Sequence, residues 1–355
     1  MVFFGMYATG DYPAMYSIDN FYSKQHENGY ICRVQNENTG GDYAPKASDP
    51  HVNPPLFPWV EYTYLKITGD DSRILKALWY NHRYYKWLKN NTRVKGGFYY
   101  TSNLGSGMDN SPREGKAYGW IDLTSQMALF AKYMEKLALA SGDNDFAKYY
   151  KNEYEKLKKL INEKMWSSDE KLYFDVKRNG KLHKKKTIAS YWPMLAKVAD
   201  QDRLNFLVQH LFNPKEFATP HMFATLARDE KEFDPKGYYW RGAVWAPTEF
   251  MVIKGLEYNG FVNEARKAAL NHLENMWKVY NDFKPEKKKL PYNEKNIPFP
   301  KELDGTKQIW ECYSPIKAEP ATRWDNYYYV RPKFVGWSGV GPIVLFIENV
   351  IGIRP

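Results

Sequence analysis

Apolar positions along this chain recur mainly at helical spacing. Residues 12–26 carry one such stripe, which stops before Asn28-Gly29. Pro54-Pro55 opens a helix to about Ile67, Thr68-Gly69-Asp70 ends it, and a second helix runs over about 71–89. The same joint recurs. Ser141-Gly142-Asp143 separates 120–140 from 144–165, Ala199-Asp200-Gln201-Asp202 separates 187–199 from 202–212, and Asn259-Gly260-Phe261-Val262-Asn263 separates 245–258 from 263–281. Each joint sets a breaker or small residue before an Asp or Asn suited to cap the next helix. The pattern predicts four helix–turn–helix hairpins, with long loops at about 90–119, 166–186, 229–240 and 282–335 and a loop-like stretch at 31–53. Within one loop, residues 171–177, Arg178-Asn179-Gly180 and residues 181–183 read as a β-hairpin. The opening run Met1–Met6 is apolar with no polar lead-in, the pattern of a buried helix interior. From it we expect a domain whose first helical segment precedes residue 1.

Repeated hairpins build either an open solenoid or a closed α/α toroid. Tight turns at one end and long, aromatic loops at the other favour the toroid. No composition break divides the chain, so residues 1–355 read as one all-α domain with small β-hairpins among its loops.

Composition sharpens this picture. Aromatic residues make up 17% of the chain, with 29 Tyr and 12 Trp. A core does not need that many rings with polar tips, whereas a wide aromatic cleft does. The formal net charge is +10. The basic residues are scattered, the short runs Lys184–Lys186 and Lys287–Lys289 read as solvated loop faces, and no nucleic-acid-binding motif accompanies them. Cys32 and Cys312 form no disulfide framework. No apolar run approaches the length of a membrane span, and residues 1–20 lack a signal-peptide pattern, which slightly favours the cytoplasm. Asp143-Asn144-Asp145 lacks the glycine and closing Glu of a calcium loop, and no glycine-rich loop is shaped for a phosphate, so neither metal nor cofactor is expected. His51, His183 and His221 fall in loops without partner patterns and read as surface residues.

The chemistry gathers in the loops. In Gly105–Arg113, Asp109 sits between Gly107 and Pro112, which excludes a helix interior and leaves the carboxylate on a stiff loop. Phe98, Tyr99 and Tyr100 precede it and Trp120 follows. Rings stack on pyranose faces and an acid protonates a glycosidic oxygen, so this is the composition of a sugar site. The plainer reading is an Asp that caps a turn. Glu311, in Ile309–Pro315, is likewise flanked by aromatics and completes a candidate acid/base pair. In Tyr238–Pro247, Trp240 and Trp245 would stack on sugars and Arg241 would bind substrate or orient an acid, against the alternative of a core helix start with a salt-bridged Arg. Val335–Gly339 offers Trp337 between glycines.

These motifs, in the order Gly-Met-Asp-Asn-Ser-Pro-Arg (107–113), Trp-Ile-Asp-Leu (120–123), Tyr-Trp-Arg-Gly-Ala-Val-Trp (239–245), Trp-Glu-Cys-Tyr-Ser-Pro (310–315) and Gly-Trp-Ser-Gly (336–339), resemble glycoside hydrolase family 63 nearly end to end. The branch most similar is the mannosylglycerate hydrolase-like one, and Trp245-Ala246-Pro247 is similar to the related trehalases. The resemblance implies an (α/α)6 barrel and hydrolysis of an α-linked mannoside or glucoside with inversion. It places Asp109 as general acid and Glu311 as general base, with Trp240, Arg241, Trp245 and Trp337 lining the pocket. Tyr100, Asn110, Arg113, Trp310 and Tyr313 complete the candidate sugar contacts. Asn53 stands where relatives often carry a sugar-contacting Gln, and its shorter side chain weakens that contact. A first-helix Trp-Asp element of the relatives has no counterpart in this sequence. Two alternatives remain: a silent carbohydrate-binding toroid, and a different toroid enzyme acting on acidic sugars. Inversion requires room for a water, hence a carboxylate separation of roughly 6.5–9.5 Å, and an acid whose pKa is raised. No sequence feature bears on oligomeric state.

Overall fold

The computed structural model describes residues 2–7, 13–42, 52–113, 115–290 and 306–354, and of Val2 and Phe4 the backbone only. The helices are α1 (Val2–Tyr7), α2 (Tyr16–Ser23), α3 (Phe57–Thr68), α4 (Ile74–Asn91), the single turn α5 (Asn103–Ser106), α6 (Ile121–Ala140) and α7 (Asn144–Lys164). Then follow a 3-10 turn (Ile188–Tyr191) leading into α8 (Trp192–Leu195), α9 (Gln201–Leu211), α10 (Ala246–Tyr258), α11 (Val262–Asp282) and α12 (Gly336–Leu345). A π-helical segment, Phe346–Ile351, continues α12.

Helices α1, α3, α6, α8, α10 and α12 pack side by side in that order, and α12 meets α1 to close the ring. The described α2, α4, α7, α9 and α11 form an outer layer. Sequence explains the division. Helix α6 is buried on every side of its first fourteen residues apart from Lys132, as an inner helix must be. Helix α7 alternates apolar positions with Lys and Glu and buries one stripe, including Tyr150, Tyr154, Leu157 and Ile161, against α6.

The four predicted hairpins are present, and two of the four expected Asp or Asn caps form, whereas α4 and α11 start from Arg73 and Phe261 with no side-chain cap. Gly69 ends α3 in the left-handed conformation at φ +71°, while Asp143 and Asp200 accept hydrogen bonds from the backbone N–H groups of Phe146 and Arg203. Because a tight turn follows each of α3, α6, α8 and α10, these inner helices run parallel, with their N-termini at the long-loop end. Four of the inner helices open on an aromatic residue or have one as cap: Phe57, Trp120, Trp192 and Trp245. Pro58, Pro193 and Pro247 stand at the first or second helical position, where a missing N–H costs nothing.

Three expectations are revised. The helix predicted at 187–199 is broken into a 3-10 turn and the short α8, because Pro193 restarts the helix and Lys197 turns left-handed at φ +55°. Gly336–Gly339, grouped with the loop motifs, instead opens α12, a helix that tolerates Pro342 in its interior. Lys185 and Lys186 are not solvated. Lys185 pairs with Glu230 and Glu232 at 2.6 and 2.8 Å, and Lys186 pairs with Glu216 at 2.8 Å and with Asp229. The loop at 166–186 contains two small antiparallel pairs, β1 (Trp166–Ser167) with β2 (Leu172–Tyr173) and β3 (Asp175–Val176) with β4 (Leu182–His183). The second closes over the predicted Arg178-Asn179-Gly180 turn, with Gly180 at φ +81°. Cys32 and Cys312 are both buried, free thiols.

Candidate active site

The loop carrying Asp109 is built from beneath. Ser102 caps α5 by accepting from Gly105 N at 3.1 Å, and Asn103 Nδ2 donates to Ser111 O at 2.8 Å, pinning both ends of the segment. Gly105 serves close packing of the chain on itself: a Cβ there would stand 2.3 Å from Thr101 Oγ1 and 3.3 Å from Val52 O. Gly107 supplies the left-handed turn, φ +79°, that leads into Asp109.

Arg113, expected to touch sugar, is instead the buried anchor of this loop. Its side chain is 0% exposed. Nε and Nη2 donate to Asp175 at 2.8 and 3.0 Å, Nη1 and Nη2 donate to Asp122 at 3.0 Å each, and the guanidinium lies over Trp120. Asp175 also accepts from Ile121 N at 2.9 Å, so β3, the start of α6 and the Asp109 loop meet at one guanidinium. A planar cation with five donors holds two carboxylates in a way an ammonium cannot.

Glu311 stands across from this loop. Its carboxyl is buried, and Oε1 accepts from the Tyr239 phenol at 3.0 Å. The backbone fixes the position: Glu311 N donates to Arg331 O at 2.9 Å, and Glu311 O accepts from Ser338 Oγ, in the first turn of α12, at 2.7 Å. Burial pushes the Glu311 carboxyl above its usual pKa, opposed by the Tyr239 hydrogen bond and the Arg331 charge and reinforced by the negative charge of Asp109. Burial, and then the same two carboxylates, push the Tyr239 phenol far up. Asp109 and Glu311 therefore share one electrostatic neighbourhood. Arg33 Nη2 lies 4.0 Å from Asp109 Oδ1.

The remaining candidates divide. Asn110 bridges two loops, donating to Tyr238 O at 2.9 Å and accepting from Trp240 N at 2.8 Å. Arg241 Nε donates to Asn110 O at 3.2 Å, and its guanidinium lies over the Tyr238 ring, rather than in a salt bridge at a helix start. Trp240 and Trp245 stack on each other at 4.1 Å and 8° and are both buried. Trp245 thus backs Trp240, and its indole N–H donates to Tyr239 O. Trp310 and Tyr313 are core residues: Trp310 packs against Phe283 and Tyr329, Tyr313 against His221 and His272. They hold Glu311 from behind instead of facing solvent. Asn53 engages Arg33 reciprocally, accepting from its Nε at 3.2 Å and donating to its backbone O at 2.8 Å. Tyr100, exposed, stands edge-on to Trp120.

Trp337 is 42% exposed and lines an open cleft. Phe3, Leu56, Trp59, Trp192, Pro247 and Phe250 are among its other walls, so the cleft lies among the N-terminal turns of the inner helices. That placement is where helix dipoles favour negative charge. His221 and His183, expected at the surface, are buried. His221 Nε2 and His272 Nδ1 lie 2.8 Å apart, and burial lowers both pKa values. His51 and parts of the loops at 31–53 and 282–335 lie outside the described residues. Three site residues escaped the sequence reading. Arg33 has no motif around it. Tyr239 lay inside a recognised motif as one aromatic among several. Trp192 was absorbed into a predicted helix, although Trp192-Pro193 repeats the aromatic–proline opening of Phe57-Pro58.

Comparison with known proteins agrees with this fold. The family model for the mannosylglycerate hydrolase MGH1-like glycoside hydrolase domain matches residues 12–323. An uncharacterized protein of Borreliella burgdorferi is 31% identical over 352 residues, 99% of this chain and 70% of that one. The Escherichia coli periplasmic trehalase is 26% identical over 167 residues, 45% of this chain and 27% of the enzyme. Among solved structures, the GH63 mannosylglycerate hydrolase from Thermus thermophilus in complex with glucose superposes with a TM-score of 0.73 at 16% identity, over 97% of this chain and 91% of that one. Neutral trehalase Nth1 from Saccharomyces cerevisiae gives 0.64 at 13% identity, over 85% and 62%. Both likenesses show the (α/α)6 toroid, and the family match shows the rest: this chain is a glycoside hydrolase of the MGH1-like, family 63 type.

Proposed function

We propose that the chain is a single catalytic domain that hydrolyses an α-linked mannoside or glucoside with inversion, using Asp109 as general acid and Glu311 as general base. The observation that carries this reading is that two carboxylates from distant loops meet in one neighbourhood: the charge of Asp109 acts on the buried Glu311 carboxyl, and both act on the Tyr239 phenol. In the reaction, Asp109 gives its proton to the glycosidic oxygen as the bond from that oxygen to the anomeric carbon breaks. A water on the opposite face loses a proton to Glu311 and forms the new bond to that carbon. A buried carboxylate with a raised pKa is a stronger base toward water than an exposed one. Trp337, exposed along the cleft, would pack against a sugar ring, and Arg33 offers a cation beside Asp109.

The relatives support the substrate class. The Thermus enzyme has been crystallised in complex with glucose, and with Tris and D-glycerate. The test is turnover on a panel of α-mannosides and α-glucosides, including glycerate-linked and glycosyl-linked ones. The expected result is hydrolysis of at least one class with an unactivated leaving group, lowered about 100-fold or more in both Asp109→Asn and Glu311→Gln. Turnover on such a substrate that is undiminished in either variant rejects the role assigned to that residue.

A further inference from the structure

The acid loop and the base are joined by a short chain of contacts through one side chain. Asn110, adjacent to Asp109, grips Tyr238 O with its Nδ2 at 2.9 Å and Trp240 N with its Oδ1 at 2.8 Å. An amide that donates on one side of a residue and accepts on the other fixes that residue from both sides. The residue between them is Tyr239. Its own backbone N donates to Thr322 O at 2.8 Å, and its O accepts from Trp245 Nε1 at 3.2 Å. The ring is edge-on to Trp245, with centroids 4.8 Å apart. Tyr238 and Tyr239 are both left-handed, at φ +36° and +60°, a conformation a non-glycine residue holds only when its surroundings impose it. All of this framing delivers one polar atom, the phenol oxygen, 3.0 Å from Glu311 Oε1.

We infer that Tyr239 is a positioning residue that occupies Glu311 Oε1 and leaves Oε2 as the atom that accepts the water proton, with Asn110 as the strut that keeps Tyr239 in place. This rests on Glu311 being the base. The phenol keeps its proton throughout, since burial and Glu311 hold it far from ionisation. It therefore donates to the carboxylate without competing for the proton of water. The other charged or titratable groups acting on Glu311 or acted on by it are Arg331, Asp109 and Cys312. None of them substitutes for a neutral donor aimed at one oxygen. Because Asn110 follows Asp109 in the chain, the strut also ties the acid loop to the base, and so helps set the gap a water must fit.

The test uses Tyr239→Phe, which removes only a hydroxyl, beside Asn110→Ala and Glu311→Gln. Protein labelled with carboxyl-13C glutamate is titrated by NMR, and the resonance lost in Glu311→Gln assigns Glu311. Tyr239→Phe is expected to move the Glu311 titration to higher pH, because a donor that favours the ionised form is gone. It is also expected to lower kcat about tenfold or more, with KM nearly unchanged and the melting temperature held. The acidic limb of the pH–rate profile should move with the NMR titration. Asn110→Ala should move both in the same direction by less. An unmoved Glu311 titration in Tyr239→Phe overturns the inference, as does a fall in kcat that tracks a fall in melting temperature with an unshifted profile. Retained turnover in Glu311→Gln would instead remove the base assignment, while the NMR titration, which needs no substrate, still judges the Tyr239 contact.

Discussion

Burial of the Glu311 carboxyl ties its protonation to the stability of the fold. Its pKa is raised above the ordinary value of 4.5, chiefly by desolvation. The native state therefore holds a proton at pH values where the unfolded chain has lost it, so stability falls as pH rises from about the unfolded value through the folded one. Above that window the full cost of a buried carboxylate is present. Glu311→Gln, still able to accept from Tyr239, should accordingly melt no lower than the parent at neutral pH, and higher if relaxation is small. Its turnover should drop roughly 100- to 10,000-fold, the usual worth of a general base. Melting curves at pH 4 and pH 8 check the sign: the gain must be larger at pH 8. A variant that is both less stable and less active at neutral pH would mean that the Glu311 carboxylate is held by compensating charge rather than poised against burial. Arg241 poses a similar choice. It donates to Asn110 O through Nε while its fork lies over Tyr238. Arg241→Lys, unable to reproduce the planar fork, should lose most turnover while keeping its melting temperature.

Helix α6, strand β3 and the Asp109 loop depend on one another through Arg113. Replacing that side chain with Met would leave Asp122 and Asp175 buried without a counter-charge, and breaking such a pair costs about 3–5 kcal/mol. Chemical denaturation of Arg113→Met should show that loss, and turnover should fall because the acid loop is released. A loss under about 1 kcal/mol would mean that water reaches the two carboxylates. Helix α10 offers a cleaner pH probe. Glu249 is fully buried and accepts from Phe223 N, and desolvation raises its pKa well above the usual value. A carboxyl held neutral in the fold and ionised in the unfolded chain makes stability decline with rising pH above about 4.5. Glu249→Gln should flatten that decline between pH 5 and pH 8, and urea midpoints across the range measure it. The elements that these sites stand on were legible where periodicity and caps agree. Helix α6 and helix α7 start and stop within a residue or so of the predicted limits, because an apolar face and Ser141-Gly142-Asp143 make the same statement. Helix α12 was hidden, since Gly336, Gly339, Gly341 and Pro342 argue locally against a helix. It forms because α10 and α1 offer it an apolar wall, a tertiary effect that local propensity does not contain.

The molecule as a whole gathers its chemistry by closing a ring. The toroid class was readable from the alternation of tight turns and long loops, and the candidate acid and base from carboxylates set among aromatics. Which neighbours touch sugar was not. Arg113, Trp245, Trp310 and Tyr313 carry the same composition as sugar contacts yet lie in the core, because aromatic and Arg-rich loops supply both the lining and its support. Tyr239 and Glu311 are 72 residues apart, and no spacing rule connects two loops brought together by ring closure. Asp109 and Glu311 also carry distinct kinetic signatures. Asp109→Asn should lose turnover most on poor leaving groups and least on activated aryl glycosides, which need little protonation. Glu311→Gln should lose it on both, because the water still lacks a base. Equal losses on both leaving groups for Asp109→Asn would remove its assignment as the acid. The most direct measurement is the proton NMR spectrum of the sugar at the earliest stage of hydrolysis, before mutarotation. Attack by a water held by Glu311 on the face opposite Asp109 predicts that an α-glycoside releases the β-anomer first. First release of the α-anomer would contradict the base acting through water, and with it the inverting pair.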